Sequence, residues 1–169
     1  ETLYLNSSQS TTHDFKRQPL LLTMPSHLGP IMASDDLNGD GNPELFIGGS
    51  KGIPARIYTK TSDSWEIYRG FRSSPDFTDG VALFEDFNLD GKVDLFVGSG
   101  GYHDYLSTDE ALRDRLYLND GYGVLVPQAA FPKYFISTGT AVSLDVNHDG
   151  FPDLFIGSRI KRGAFPQAH

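Results

Sequence analysis

Three nine-residue stretches hold the side chains most able to do chemistry in this chain. The first reads Asp36-Leu37-Asn38-Gly39-Asp40-Gly41-Asn42-Pro43-Glu44, and its pattern D-x-N-x-D-G-x-x-[DE] returns at residues 86–94 and 145–153. Oxygen-bearing side chains fall at positions 1, 3, 5 and 9 of each copy. They are Asp36, Asn38, Asp40 and Glu44; then Asp86, Asn88, Asp90 and Asp94; then Asp145, Asn147, Asp149 and Asp153. Position 6 is glycine every time, which permits a tight bend. Position 7 changes from Asn42 to Lys92 to Phe151, so its main-chain carbonyl is the only ligand the three copies could share there. Carboxylate, amide and carbonyl oxygens on one short loop suit a hard cation that takes about six to eight oxygen ligands, and Ca²⁺ fits best.

An EF-hand is excluded by spacing. Its loop needs a bidentate Glu at position 12 and a helix on either side. Position 12 is here Ile47, Val97 or Ile156, each inside an apolar run, and the flanks are β-branched and aromatic. Asp, Asn and Gly also build ordinary surface turns. Three copies with the same fixed positions argue for metal instead, and three bound Ca²⁺ are expected.

The elements that must position these loops repeat with them. Each loop runs into an apolar strand: Leu45-Phe46-Ile47-Gly48, Leu95-Phe96-Val97-Gly98 and Leu154-Phe155-Ile156-Gly157. A small or apolar strand precedes each loop, at residues 30–34, 80–84 and 139–144. A further element recurs as Leu3-Tyr4-Leu5-Asn6, Ile57-Tyr58-Thr59-Lys60 and Leu116-Tyr117-Leu118-Asn119. The loops are 50 and 59 residues apart, the longer step containing an insertion at 102–113. Four short strands per repeat of this length is the pattern of a β-propeller blade.

The expected fold is therefore all-β: a partial β-propeller of about three four-stranded blade-equivalents with calcium-binding hairpin loops. Its parts are an outer half blade at 1–22, with strands near 3–6 and 14–18, then blades at 29–72 and 79–127, and an inner half blade at 139–160. Too few blades are present to close a ring. The open ends should meet further blades of a longer chain or a second copy of this one; two copies related by a twofold axis would make six blades.

Hydrophobic residues make up 38% of the 169, enough for a packed core. The formal charge of −8 is mostly the nine loop acids, and three divalent ions would bring it to −2. Metal-free, those carboxylates repel one another, so folding should couple to calcium. No cysteine is present, which excludes disulfides and thiol chemistry. The apolar run at 19–24 is far too short to span a membrane. The chain begins at Glu1 and is expected to be a piece of a longer protein.

Asp-x-Asn-x-Asp-Gly-x-x-Asp followed by Leu-Phe-Ile-Gly resembles the FG-GAP/VCBS repeat of integrin α-subunit propellers and many secreted bacterial proteins. Arg115-Leu116-Tyr117-Leu118-Asn119-Asp120-Gly121 is similar to the linker strand of the bacterial form. The integrin form carries Gly-Ala-Pro where this chain has Gly48-Gly49-Ser50, Gly98-Ser99-Gly100 and Gly157-Ser158-Arg159, which favours the bacterial type. The resemblance implies Ca²⁺ in the hairpin between the first two strands of each blade.

Other chemistry is thin. The insertion follows Gly98-Ser99-Gly100-Gly101, contains Tyr102-His103-Asp104, and has a capping-box form at Ser107-Thr108-Asp109-Glu110 that predicts a short helix. It is a candidate ligand loop, and equally a tolerated surface insertion. The five histidines are scattered, and His148 sits at position 4 of the third loop, away from any ion. No phosphate loop, nucleophile elbow or basic patch occurs, so neither catalysis nor nucleic-acid binding is expected. The expected function is a calcium-binding propeller segment of a secreted, cell-surface or periplasmic protein, acting as an adhesion or ligand-binding scaffold for a protein or glycan ligand. The alternative is a non-catalytic portion of a calcium-dependent enzyme that acts on polysaccharide.

Overall fold

A computed structural model describes residues 13–17, 19, 22, 24, 27, 29–101, 105, 106 and 108–160. Its strands form three antiparallel sheets. The first contains β1 (Met32–Asp35), β2 (Glu44–Ile47), β3 (Arg56–Lys60) and β4 (Trp65–Ile67), hydrogen-bonded in that order. The second repeats the order with β5 (Asp79–Glu85), β6 (Asp94–Ser99), β7 (Arg115–Asn119) and β8 (Leu125–Pro127). The third is the hairpin of β9 (Ser137–Leu144) and β10 (Asp153–Ile160). Register repeats as well: Phe46 pairs with Ala33, Phe96 with Leu83, and Phe155 with Val142. The chain is all-β with antiparallel sheets, an arrangement consistent with a propeller-like fold.

Packing follows from the pleat, which sends alternate side chains to opposite faces. Phe46 and Ile57 of the first sheet meet Phe84, Leu95, Val97, Tyr117 and Leu125 of the second in one core, joined by Leu37, Ala55 and Phe71. The ring of Phe71 stands edge-on to Phe46 at 5.8 Å and to Tyr117 at 5.3 Å. Every residue of β6 is buried. Leu95 and Val97 face the first sheet, and Phe96, on the opposite face, packs 5.8 Å from Phe131.

The strand ends away from the Asp loops are tied by polar groups. Asp79 accepts from the Gly49 N–H at 2.6 Å and from the Arg115 guanidinium, which lies 3.9 Å from the Phe77 ring centre. Asp114, fully buried, accepts from the Ser99 N–H at 2.7 Å and the Thr138 hydroxyl at 2.9 Å. Burial pushes the Asp114 carboxyl up to about 6, against the opposing pull of those donors and the nearby Arg115 charge.

One sequence expectation is corrected here. Residues 14–17 are not part of an outer strand: α1 (Asp14–Arg17) is a single helical turn, opened by Asp14 and lacking the period-2 alternation of a strand. The companion strand at 3–6 lies outside the described residues, as do residues 102–104 and the tail after 160. The insertion carries the expected short helix, as a 3-10 turn at Glu110–Leu112 whose N-cap is Asp109 with no side-chain capping bond; Ser107 of the capping-box form lies outside the described residues. The insertion also packs inward. Leu112 is fully buried, and the buried Tyr105 donates its hydroxyl to the Asp76 carbonyl at 2.7 Å.

Candidate metal centre

The three Asp loops occupy the β1–β2, β5–β6 and β9–β10 hairpins and share one internal hydrogen-bond scheme. The position-1 carboxylate turns inward and accepts from main-chain N–H groups: Gly39, Asp40 and Gly41 reach Asp36 at 2.8, 3.2 and 2.8 Å. Asp90 and Gly91 reach Asp86 at 3.1 and 2.8 Å, and Asp149 and Gly150 reach Asp145 at 3.1 and 2.9 Å. The position-5 carboxylate caps the next N–H but one, from Asn42, Lys92 or Phe151, at 2.7–2.8 Å. The Asn42 N–H, followed by its side-chain amide, holds Asp40 below the usual carboxylate range.

Such tight curling requires left-handed backbone. Position 6 has φ between 80° and 89° in Gly41, Gly91 and Gly150, where glycine has no steric penalty. Position 4 is left-handed too, as Gly39 at 75° and as Leu89 and His148 at 59° each. His148 is solvent-exposed.

Position 9 separates the loops. Glu44 is fully buried; Oε2 accepts from the Leu37 N–H at 3.0 Å and Oε1 from the Thr59 hydroxyl at 2.8 Å. Asp94, also fully buried, accepts from the Phe87 N–H at 3.1 Å and the Asn119 N–H at 2.8 Å. Burial raises its carboxyl above the usual range, opposed by those two N–H groups and reinforced by Asp90 and Asp86. Asp153 is exposed and accepts from the Val146 N–H at 3.0 Å. Nothing in the sequence marks Thr59 and Asn119 as supports, because each stands in a third-strand segment far from its loop in the chain.

The donor set matches a hard cation in kind: three carboxylates, one amide and the carbonyls of Asn42, Lys92 or Phe151 in each loop. The atoms, however, are arranged for one another. Among the described residues no three His, Cys, Asp or Glu side chains are grouped closely enough to hold one ion. The position-3 amide explains this. Its N–H₂ points at the position-5 carboxylate, at 3.2 Å from Asn38, 3.0 Å from Asn88 and 2.9 Å from Asn147. In the first loop it also reaches Glu44, at 3.3 Å. In that loop a neutral donor thus stands between two carboxylates, Asp40 and Glu44, that a cation would draw together.

Between the first and second loops lies a cleft of about 700 Å³, which no sequence motif marks. Asn119 fixes its floor, donating through Nδ2 to the carbonyls of Leu37 at 2.9 Å and Val93 at 3.2 Å.

Comparison with known proteins agrees with the repeat. The FG-GAP-like repeat family matches residues 36–97 and again 86–156. A phosphatidylinositol-glycan-specific phospholipase D of Bos taurus is 29% identical over 196 aligned residues, covering 98% of this chain. The protein of the same name from Homo sapiens is 28% identical over 199 aligned residues, with the same coverage. The chain spans only 23% of the length of either relative.

Proposed function

This chain belongs to the FG-GAP-like repeat family, and from that premise we propose that it is a calcium-binding segment of a β-propeller, serving as a ligand-binding or adhesion scaffold outside the cell. The carrying observation is the threefold loop, built from the same hard-oxygen donors with the same inward-turned position-1 carboxylate. Bound Ca²⁺ would neutralise clustered acids that otherwise repel. Extracellular calcium near millimolar levels would keep even weak sites filled. Among the described residues no helix is long and apolar enough to cross a membrane.

Calorimetry with Ca²⁺ at neutral pH tests this reading. We expect three ions per chain and much weaker binding of Mg²⁺. The site at Asp153 should be about tenfold weaker than the other two, since its position-9 acid is exposed and has no supporting third strand among the described residues. No uptake, or equal preference for Mg²⁺, overturns the reading.

One repeat position supports an open face in the propeller reading. Phe46 and Phe96 are each 0% exposed under an aromatic ring, whereas Phe155, in the same register, is 61% exposed. A further blade, or a second copy, is the natural cover for that face. We place the chain with the bacterial-type repeats on its Gly48-Gly49-Ser50 stretch.

A second reading makes the segment the non-catalytic portion of a larger calcium-dependent enzyme. The short share of the relatives' length favours it, and their name points to a phosphatidylinositol-glycan rather than the polysaccharide considered from sequence. No catalytic role is assigned to any residue of this chain. Assaying the chain for cleavage against binding of such a glycan separates the two.

A further inference from the structure

We propose that the cleft between the first two Asp loops is a binding site for a negatively charged sugar, one carrying a carboxylate or a phosphate. This deepens the ligand-binding reading above and rests on it. The volume, about 700 Å³, lies within the range of small-ligand sites.

The walls are rigid. Besides the Asn119 bonds to Leu37 and Val93, the Tyr68 hydroxyl donates to the Gly123 carbonyl at 2.8 Å, and the Leu125 N–H donates to the Gly70 carbonyl at 2.8 Å. Both bonds run from one sheet's loops to the other's. The site is therefore held before any ligand arrives, which lowers the ordering cost of binding.

Its rim offers two unpaired cations and one bare ring. Arg69 and Lys92 both line the cleft and are exposed, and among the described residues neither side chain makes an ion pair or hydrogen bond. Tyr122 is 93% exposed on a turn that its neighbours hold firmly. Asp120 Oδ1 accepts from the Tyr122 N–H at 2.8 Å and the Val124 N–H at 3.0 Å, while Gly121 and Gly123 are left-handed at φ 79° and 83°. Lys92 lies against this turn, its Cε 3.6 Å from where a side chain on Gly121 would begin.

The chemistry selects the ligand. A phenol ring presents a flat face to the C–H side of a pyranose, and a guanidinium grips a carboxylate or phosphate with paired hydrogen bonds. The Asp36 carboxylate is no bar to an anion, because both its oxygens turn into its own loop. A lipid tail would find only Leu37, Val93 and Val124 as apolar wall. Position 7 of the repeat, where Lys92 stands, is Asn42 and Phe151 in the other loops. The calcium chemistry asks only its carbonyl, leaving the side chain free to set specificity.

The test is a titration of the purified chain in 2 mM calcium with glucuronate, glucose 6-phosphate, glucose and a hexaglutamate peptide, followed by NMR shifts. We expect one or both anionic sugars to bind at least about tenfold tighter than glucose, with the Tyr122 and Lys92 signals moving most. Tyr122→Ser and Arg69→Gln should each weaken binding about tenfold while calcium uptake, measured by calorimetry, stays unchanged. Binding of the peptide alone, no binding of either acid sugar, or binding indifferent to both variants would overturn the proposal. Sugar binding without calcium uptake would instead overturn the metal reading and leave this site standing.

Discussion

The second and third Asp loops share sequence, backbone and inner hydrogen bonds, yet among the described residues only the second is backed by a four-stranded sheet. Behind Asp94 stands β7, whose Asn119 N–H caps the carboxylate and whose amide crosses to Leu37 of the first sheet. Asp153 has no such strand beside it among the described residues and remains exposed. The same contrast runs through the apolar register, where Phe96 is covered and Phe155 is bare. A hairpin of this repeat can shape its own loop, but burying its forward face takes the neighbouring unit. This is the expected behaviour of a stacked repeat, where stability resides in interfaces as much as in units.

The strongest way to test that contrast is to truncate the same position twice. Phe96→Ala should cost about 3–5 kcal/mol, because it empties a fully buried site against Phe131. Phe155→Ala should cost about 0.5 kcal/mol or less, as surface changes do. Urea denaturation of the two variants measures both. Equal losses would mean Phe155 is covered in solution, by a second copy or by residues beyond 160.

The two sheet junctions offer a second comparison. In both, a carboxylate caps the N–H at the end of the second strand: Asp79 caps Gly49, and Asp114 caps Ser99. Asp79 comes from the following sheet and has Arg115 as its ion-pair partner. Asp114 comes from the same sheet, and its link to the following one is a neutral hydroxyl, Thr138. Buried with less compensation, it titrates near 6.

A folded value above the ordinary 3.8 means that folding takes up a proton between them. The stability that Asp114 contributes is then present below about 3.8 and lost as pH rises through about 6. Asp40, held below the usual range, works the opposite way and loses its contribution as pH falls. Asp114→Asn keeps an acceptor for Ser99 and Thr138 and removes the charge. In a chelator, to exclude calcium linkage, it should flatten the stability slope between pH 4 and 6 and add about 1–3 kcal/mol at pH 7. An unchanged slope would place the carboxyl in a wetter site than the junction indicates.

What the sequence disclosed follows from periodicity. The Asp loops and the apolar strands after them recur at fixed offsets, and a Tyr-containing third strand recurs in each unit, so their residues could be aligned against one another before any fold was known. Where no repeat existed, sequence was mute. Asp14–Arg17 has one helical turn, too short to show a 3.6-residue period. Asp114 stands between Arg113 and Arg115 and reads as part of a solvated charge cluster; its burial comes from Ser99 and Thr138, 15 and 24 residues away. Asn119 reaches Leu37 across 82 residues. The cleft is likewise a product of two loops meeting, and neither loop announces it alone.

The smallest effect concerns position 4, where the first loop has glycine and the other two do not. Leu89 and His148 both sit at φ 59°, a region that costs a residue with a Cβ about 1–2 kcal/mol relative to glycine. Replacing either by glycine relieves that strain but frees the unfolded chain, which takes back about 0.5–1 kcal/mol. The net gain should be about 0.5 kcal/mol in each loop. Gly39→Ala in the first loop should lose a similar amount, with no clash to blame, since nothing lies within 4 Å of the added Cβ. Because position 4 faces solvent in all three loops, the gains at 89 and 148 should match even though the sheets behind them differ. Thermal denaturation of Leu89→Gly and His148→Gly measures this. A gain confined to Leu89 would mean that the third hairpin already relaxes its strain by moving, so the missing strand would be felt in the loop's backbone as well as at Asp153.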